Sequence, residues 1–305
     1  MALVYLSIIT LTIAASLRFS VHSLLQPVSL LLHQSCLERL PVASKSLPEL
    51  QALVCGQGFS DAASSQLYVA TGLIHLFVVS GAHLILLETI LKKVPIFQKS
   101  SSRILILIAL FIYVLACEMN PPITRSFISL LFSGFLIKNR LNWPASFKIF
   151  LIGIITLAMN PEWANSASLQ LSWIAGLVVA LNTCYFSKHT FLFRQSLYFI
   201  LLWPLLIFLS VPSHLVILMN LIFTPILEFI LFPLGLVTWV LPFLHPLFDL
   251  FIEGLNAILK LLEFKSTAQT TLDLSALSSM GWFIIFGLHF CLHLFEMNHR
   301  KGSYV

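Results

Sequence analysis

Thr71-Gly-Leu-Ile-His75-Leu-Phe-Val-Val-Ser80-Gly81-Ala-His83 places two histidines, a serine and two glycines inside an otherwise apolar run. In lipid an unsatisfied polar group costs several kcal/mol (roughly), and glycine weakens the helix that would hide the backbone. Such a cluster must face a protein interior or a watery cavity. The rest of the sequence decides between them.

The apolar setting is not local. Of the 305 residues 58% are hydrophobic and only 10% charged, with a mean hydropathy of +0.96, where a soluble domain is about one quarter charged. Apolar runs recur from Leu3 to Phe295 with short polar breaks between them. This pattern predicts an all-α, polytopic transmembrane helical bundle. After a hydrophobic segment at 1–33 and a short external loop region at 34–66, the transmembrane domain is expected over 67–296, with a cytoplasmic tail at 297–305. Candidate spans lie at roughly 67–91, 104–119, 122–137, 147–160, 167–184, 191–211, 214–232, 234–252 and 277–296, which with the N-terminal segment makes about nine to ten membrane segments. Several are shorter than the roughly twenty residues an upright span needs, so broken or interfacial helices are expected among them. The stretch 251–262, with Glu253, Asn256 and Lys260 among apolar residues, reads as an interfacial helix.

Loop charge orients the bundle, because Lys and Arg near membrane ends favour the cytoplasm. Lys92, Lys93, Lys99 and Arg103 follow the first core span, Lys138, Arg140 and Lys148 the third, Lys188 and Arg194 the fifth, and Arg300 and Lys301 the last. The intervening loops lack that bias. A cytoplasmic C-terminus, with the 34–66 region outside, follows as an expectation. The net charge of +5 is accounted for by these cytoplasmic residues and is weak evidence for a polyanionic ligand. Cys36 and Cys55 share the external region, where a disulfide is permitted but not fixed by spacing.

Three chemistries compete for the opening stretch. A zinc site from His75, His83 and Glu88 lacks HExxH or CxxC spacing. A nucleophilic Ser80 of the rhomboid type needs a GxSG turn, and Val78 stands where its first glycine belongs. A packing role, with Ser80-Gly81 allowing close helix approach and the imidazoles hydrogen-bonded inside the bundle, needs nothing more. We therefore expect no catalytic residue, no metal and no cofactor. An intramembrane enzyme using Ser80 and a histidine, and a transporter or structural membrane protein for another solute, remain the alternatives.

Ala52-Leu-Val-Cys-Gly56 and Gly72-Leu-Ile-His-Leu-Phe-Val-Val-Ser-Gly-Ala-His-Leu-Ile-Leu-Leu87 resemble the signature of the ComEC-type competence family of DNA-internalisation proteins. Further patches follow in order: Pro122-Ile-Thr-Arg125, Pro161 with Leu169-Gln-Leu-Ser172, and Asn220-Leu-Ile-Phe-Thr-Pro225 with Pro233. The resemblance implies a channel in the bacterial inner membrane that passes single-stranded DNA into the cytoplasm during natural transformation, working with separate DNA-binding and motor proteins, surrounded by membrane lipid and compatible with a homo-oligomer. A charged strand needs a wet path with polar, cationic and stacking groups. The channel-lining candidates are His75, Ser80, Gly81, His83, Arg125, Gln170, Ser172 and Asn220. Two acidic positions of the family pattern are replaced, by Gln57 and by Ser166. Neither the OB-fold-like nor the metallo-β-lactamase-like domain of larger members is expected here, nor nuclease or nucleotide-driven activity, since no HxHxDH or Walker motif occurs.

Overall fold

The computed structural model describes residues 20–59, 62–71, 73–95, 102–186, 190, 193–194, 196–197, 200–202, 222–261 and 274–302. Among them the chain is helical, with no strand. The helices are α1 (Val21–Glu38), α2 (Leu47–Leu50), α3 (Ala62–Ala70), α4 (Ile74–Phe77), α5 (Gly81–Lys93), α6 (Ser102–Ala116), α7 (Pro121–Lys138), α8 (Ala145–Met159), α9 (Ala167–Cys184), α10 (Ile222–Val240), α11 (His245–Leu261) and α12 (Leu274–Gly302). Three of these segments, Ala167–Cys184, Ile222–Val240 and Ser278–Asn298, are long and apolar enough to cross a bilayer, and Arg103–Ala116 and Ala145–Met159 are shorter apolar helices. The all-α membrane fold expected from composition is the one found.

Several element boundaries differ from the expectation. The span expected over 67–91 is divided into α3, α4 and α5, with Val78 to Ser80 non-helical between the last two. Of the spans expected at 214–232 and 234–252, residues 214–221 lie outside the described residues, and the rest is covered by one helix, α10, and then by α11. Pro233 sits at the second position of the Phe232–Val240 segment, where a missing N–H is tolerated. Leu241-Pro242 then ends the helix. Most of the expected 191–211 span lies outside the described residues.

The chain forms two compact units, one comprising residues 1–24, 124–209 and 270–305, the other 25–123 and 210–269. In the first, α8, α9 and α12 pack around Trp173, Ile174, Leu177, Val178, Ile285 and Leu292. α9 presents Leu169, Gln170, Trp173, Ile174, Leu177, Val178 and Leu181 inward, a stripe at three- and four-residue spacing. Gly153 on α8 makes room for the Trp173 indole, since a Cβ there would lie 2.1 Å from the ring. Trp173 Nε1 donates to His289 Nε2 of α12 at 2.9 Å.

In the second unit, Cys36 at the end of α1 is disulfide-bonded to Cys55, with a Cα separation of 6.0 Å. Around the bridge lies a core of Leu40, Leu50, Leu53, Val54, Phe232, Phe248 and Leu259. Gly56 ends the π-helical turn Gln51–Cys55 at φ +74°, a conformation that glycine alone adopts without cost. Its carbonyl accepts from Asn120 Nδ2 at 3.1 Å. Thus Cys55 and Gly56 of the first family-like patch serve a bridge and a turn.

The stretch expected as an interfacial helix at 251–262 falls in α11, which begins six residues earlier and carries three faces. Phe248, Ile252, Leu255 and Leu259 enter the core. Asp249 accepts from Ser44 Oγ at 2.6 Å, Ser46 N at 3.1 Å and Lys45 N at 3.2 Å. The Tyr68 hydroxyl bridges Glu49 Oε1 and Asn256 Oδ1 at 2.9 and 2.8 Å. Leu247, Leu250, Phe251, Ile258 and Leu261 form the third, exposed apolar face, suited to lipid.

Candidate functional site

The opening stretch is a helix start. Ser80 is the N-cap of α5: its Oγ accepts from Ala82 N at 3.2 Å, and its own N–H donates to His83 Nδ1 at 2.9 Å. This is a capping box in which histidine replaces the usual Glu or Gln at the third helical position. Gly81 opens the helix. Ser80 is therefore spent on backbone amides, and the eight-residue spacing of His75 and His83 carries no helical phase because the helix is interrupted between them. The His83 ring is 1% exposed and lies 4.3 Å from the Phe232 ring, centroid to centroid. Because Nδ1 accepts, the ring proton resides on Nε2, which has no partner among the described residues. The side chain of His75, and all of Asn220, lie outside the described residues.

The other candidates belong to the first unit. Arg125 of α7 donates from Nε to Ser172 Oγ of α9 at 3.0 Å. One turn further along α9, Gly176 leaves room for the guanidinium, since a Cβ there would meet Nη1 at 2.9 Å. A cation is thereby held between two apolar helices by a hydroxyl and a bare backbone. Gln170 is fully buried and points the other way, donating from Nε2 to Ser278 O at 3.0 Å and Ser278 Oγ at 3.2 Å on α12. A Cβ at Gly281 would fall 2.1 Å from Gln170 Oε1. Gln170 thus ties helices together. Arg125 and Ser172 converge, whereas Ser80, Gly81 and His83 form a separate group in the second unit.

Of the two replaced acidic positions, one has a visible local role. Ser166 caps α9, its Oγ accepting from Leu169 N at 3.4 Å, a job that aspartate performs equally well. Gln57 follows the Gly56 turn, and its Oε1 is buried without a partner among the described residues. Sequence reasoning passed over Glu228, the one ionisable side chain of α10, although a carboxyl inside an apolar run is itself a signal. It also passed over His289, whose imidazole is fixed by Trp173.

These features define a helical membrane protein with polar and cationic side chains held between its helices. The match to the Competence protein family covers residues 53–298, and the chain belongs to that family of DNA-uptake membrane proteins. No curated protein and no solved structure matches it.

Proposed function

We propose that this protein is the inner-membrane channel component through which one DNA strand reaches the cytoplasm during natural transformation. The observation that carries the reading is Arg125, a permanent cation held within the helix pair α7/α9 by Ser172 above the bare surface of Gly176. An arginine in the first turns of α7 that is turned onto the neighbouring apolar helix suits the lining of a solute path, and its planar fork suits phosphate oxygens. Family membership supplies the solute. Single-stranded DNA is the ligand, sequence-tolerant because no base-reading constellation is required of such a path.

The remaining assignments follow from the same reading. The Cys36–Cys55 bridge supports an oxidising, external location for 34–66, and loop charge supports a cytoplasmic C-terminus. Residues 67–296 form the transport domain, and separate DNA-binding and motor proteins supply capture and energy. Ser80 works as a helix cap, which speaks against a nucleophilic role.

The test is complementation in a naturally transformable host that lacks the gene. Wild type restores transformation, Arg125→Ala lowers it at least tenfold at equal membrane abundance, and Arg125→Lys restores part of it. Full transformation with Arg125→Ala overturns the assignment of the path.

A further inference from the structure

Glu228 lies within the α10 span, in a π-helical stretch at Leu227–Leu231. The cause of that wide turn is legible: Pro233 has no N–H and its ring crowds the carbonyl four residues before it. The consequence falls on Glu228. In an α-helix its carbonyl would accept from Phe232 N–H, but that group donates to Leu227 O. In π register the donor would be residue 233, a proline. The Glu228 carbonyl is thus left without a backbone donor, and its half-buried carboxyl has no hydrogen bond or ion pair among the described residues.

Among the described residues no opposite charge pairs with the carboxyl. The π stretch packs against α4, and the following half of α10 against the Gln51–Cys55 turn and α11. The titratable groups of those elements are His75 on α4 and His245, Asp249, Glu253 and Lys260 on α11. Asp249 is held by Ser44 to Ser46 and Glu253 by Lys45. His83, which packs on Phe232 one turn beyond Glu228, keeps its Nδ1 for Ser80.

We infer that Glu228 is a binding site for a monovalent cation, a proton or an alkali ion, held by its carboxylate together with its own unpaired carbonyl. Oxygen acceptors without donors are costly inside a membrane, and an interrupted helix that offers backbone carbonyls beside a carboxylate is a recurrent way to hold Na⁺ or H⁺. One carboxylate balances one charge. Among the described residues no group of three or more His, Cys, Asp or Glu gathers as a metal site, which leaves a single charge as the fitting ligand. The site is independent of the DNA reading and stands whichever solute crosses.

The full-length protein in lipid nanodiscs provides the test. Its melting midpoint is measured in Na⁺, K⁺, Li⁺ and choline at fixed pH and ionic strength, and then across pH in choline. The wild type is expected to respond to one alkali ion, or else to pH alone, which distinguishes the two sources. Glu228→Gln abolishes that response, and Pro233→Ala, which restores an N–H, raises the half-maximal concentration several-fold. Identical ion and pH responses in wild type and Glu228→Gln overturn the site. Should Glu228→Gln not fold, the wild type's infrared carboxylate bands decide, with change between saturating ion and choline, or across pH, in support and invariance under both against.

Discussion

At the scale of single residues, the most informative substitution tests His83 as a helix cap. As the third-position member of a capping box it satisfies the Ser80 amide, so His83→Ala should lower the melting midpoint by an amount equivalent to about 1 kcal/mol. His83→Gln, which supplies the customary acceptor, should recover most of that loss. Equal melting of both variants and wild type would remove the cap from the account. Gly176→Ala is the corresponding test at Arg125: the added Cβ presses on the guanidinium, so transformation should fall toward the level of Arg125→Ala while membrane abundance is kept. Unchanged transformation would mean the guanidinium is free to sit elsewhere. The residues themselves were readable as polar groups at membrane depth. Their roles were not, because an imidazole at the third position of a helix is ambiguous between ligand, base and cap until its neighbour's amide is placed.

At the scale of elements, α11 and the disulfide-bonded segment stand or fall together. Burial alone would raise the Asp249 carboxyl, but hydrogen bonds from the Ser44 hydroxyl and the Ser46 and Lys45 amides outweigh it and hold the group below its usual range. A lowered folded-state value means the contribution is present above the ordinary aspartate value of about 3.9 and is lost as pH falls through the folded one. Glu49 is opposite in sign: burial raises its carboxyl despite hydrogen bonds from its own backbone and from Tyr68. Its contribution is complete below the ordinary glutamate value of about 4.3 and is lost as pH rises through the folded one. Asp249→Asn should therefore flatten the acid limb of a stability profile, and Glu49→Gln should remove the loss on the neutral side. A thermal melt across pH checks both, and parallel profiles for all three proteins would contradict the assignment. Removing the bridge by Cys36→Ser and Cys55→Ser, which opens a loop with a sequence separation of 19, should cost about 3 kcal/mol, read as the denaturation midpoint with and without reductant.

Element boundaries show why some of this fold was hidden in the sequence. α9 matches its apolar run end to end because Ser166 caps it and no proline interrupts it. α10 does not, since the expected spans were divided at Pro233 and yet Pro233 is absorbed by a π turn and a tolerated helix position. The same absorption concealed Glu228, whose unpaired carbonyl exists only in the π register. The bridge between Cys36 and Cys55 was permitted by compartment but required the turns over 39–46 and the helical segment 47–55 to bring the chain back to the end of α1.

At the scale of the whole molecule, composition was enough for the class: so few charges and so many apolar runs admit an all-α membrane protein and little else. Order of patches along the chain was enough for the family. The assignment of solute and direction is a claim about the assembled bundle in its membrane, and it is tested there. The measurement is the appearance of labelled single-stranded DNA in the cytoplasm of competent cells with and without this protein, with surface-bound DNA counted separately. The account predicts that cells lacking the protein bind DNA normally but accumulate no label inside, and that wild-type protein restores it. Equal cytoplasmic label in the two strains would contradict it.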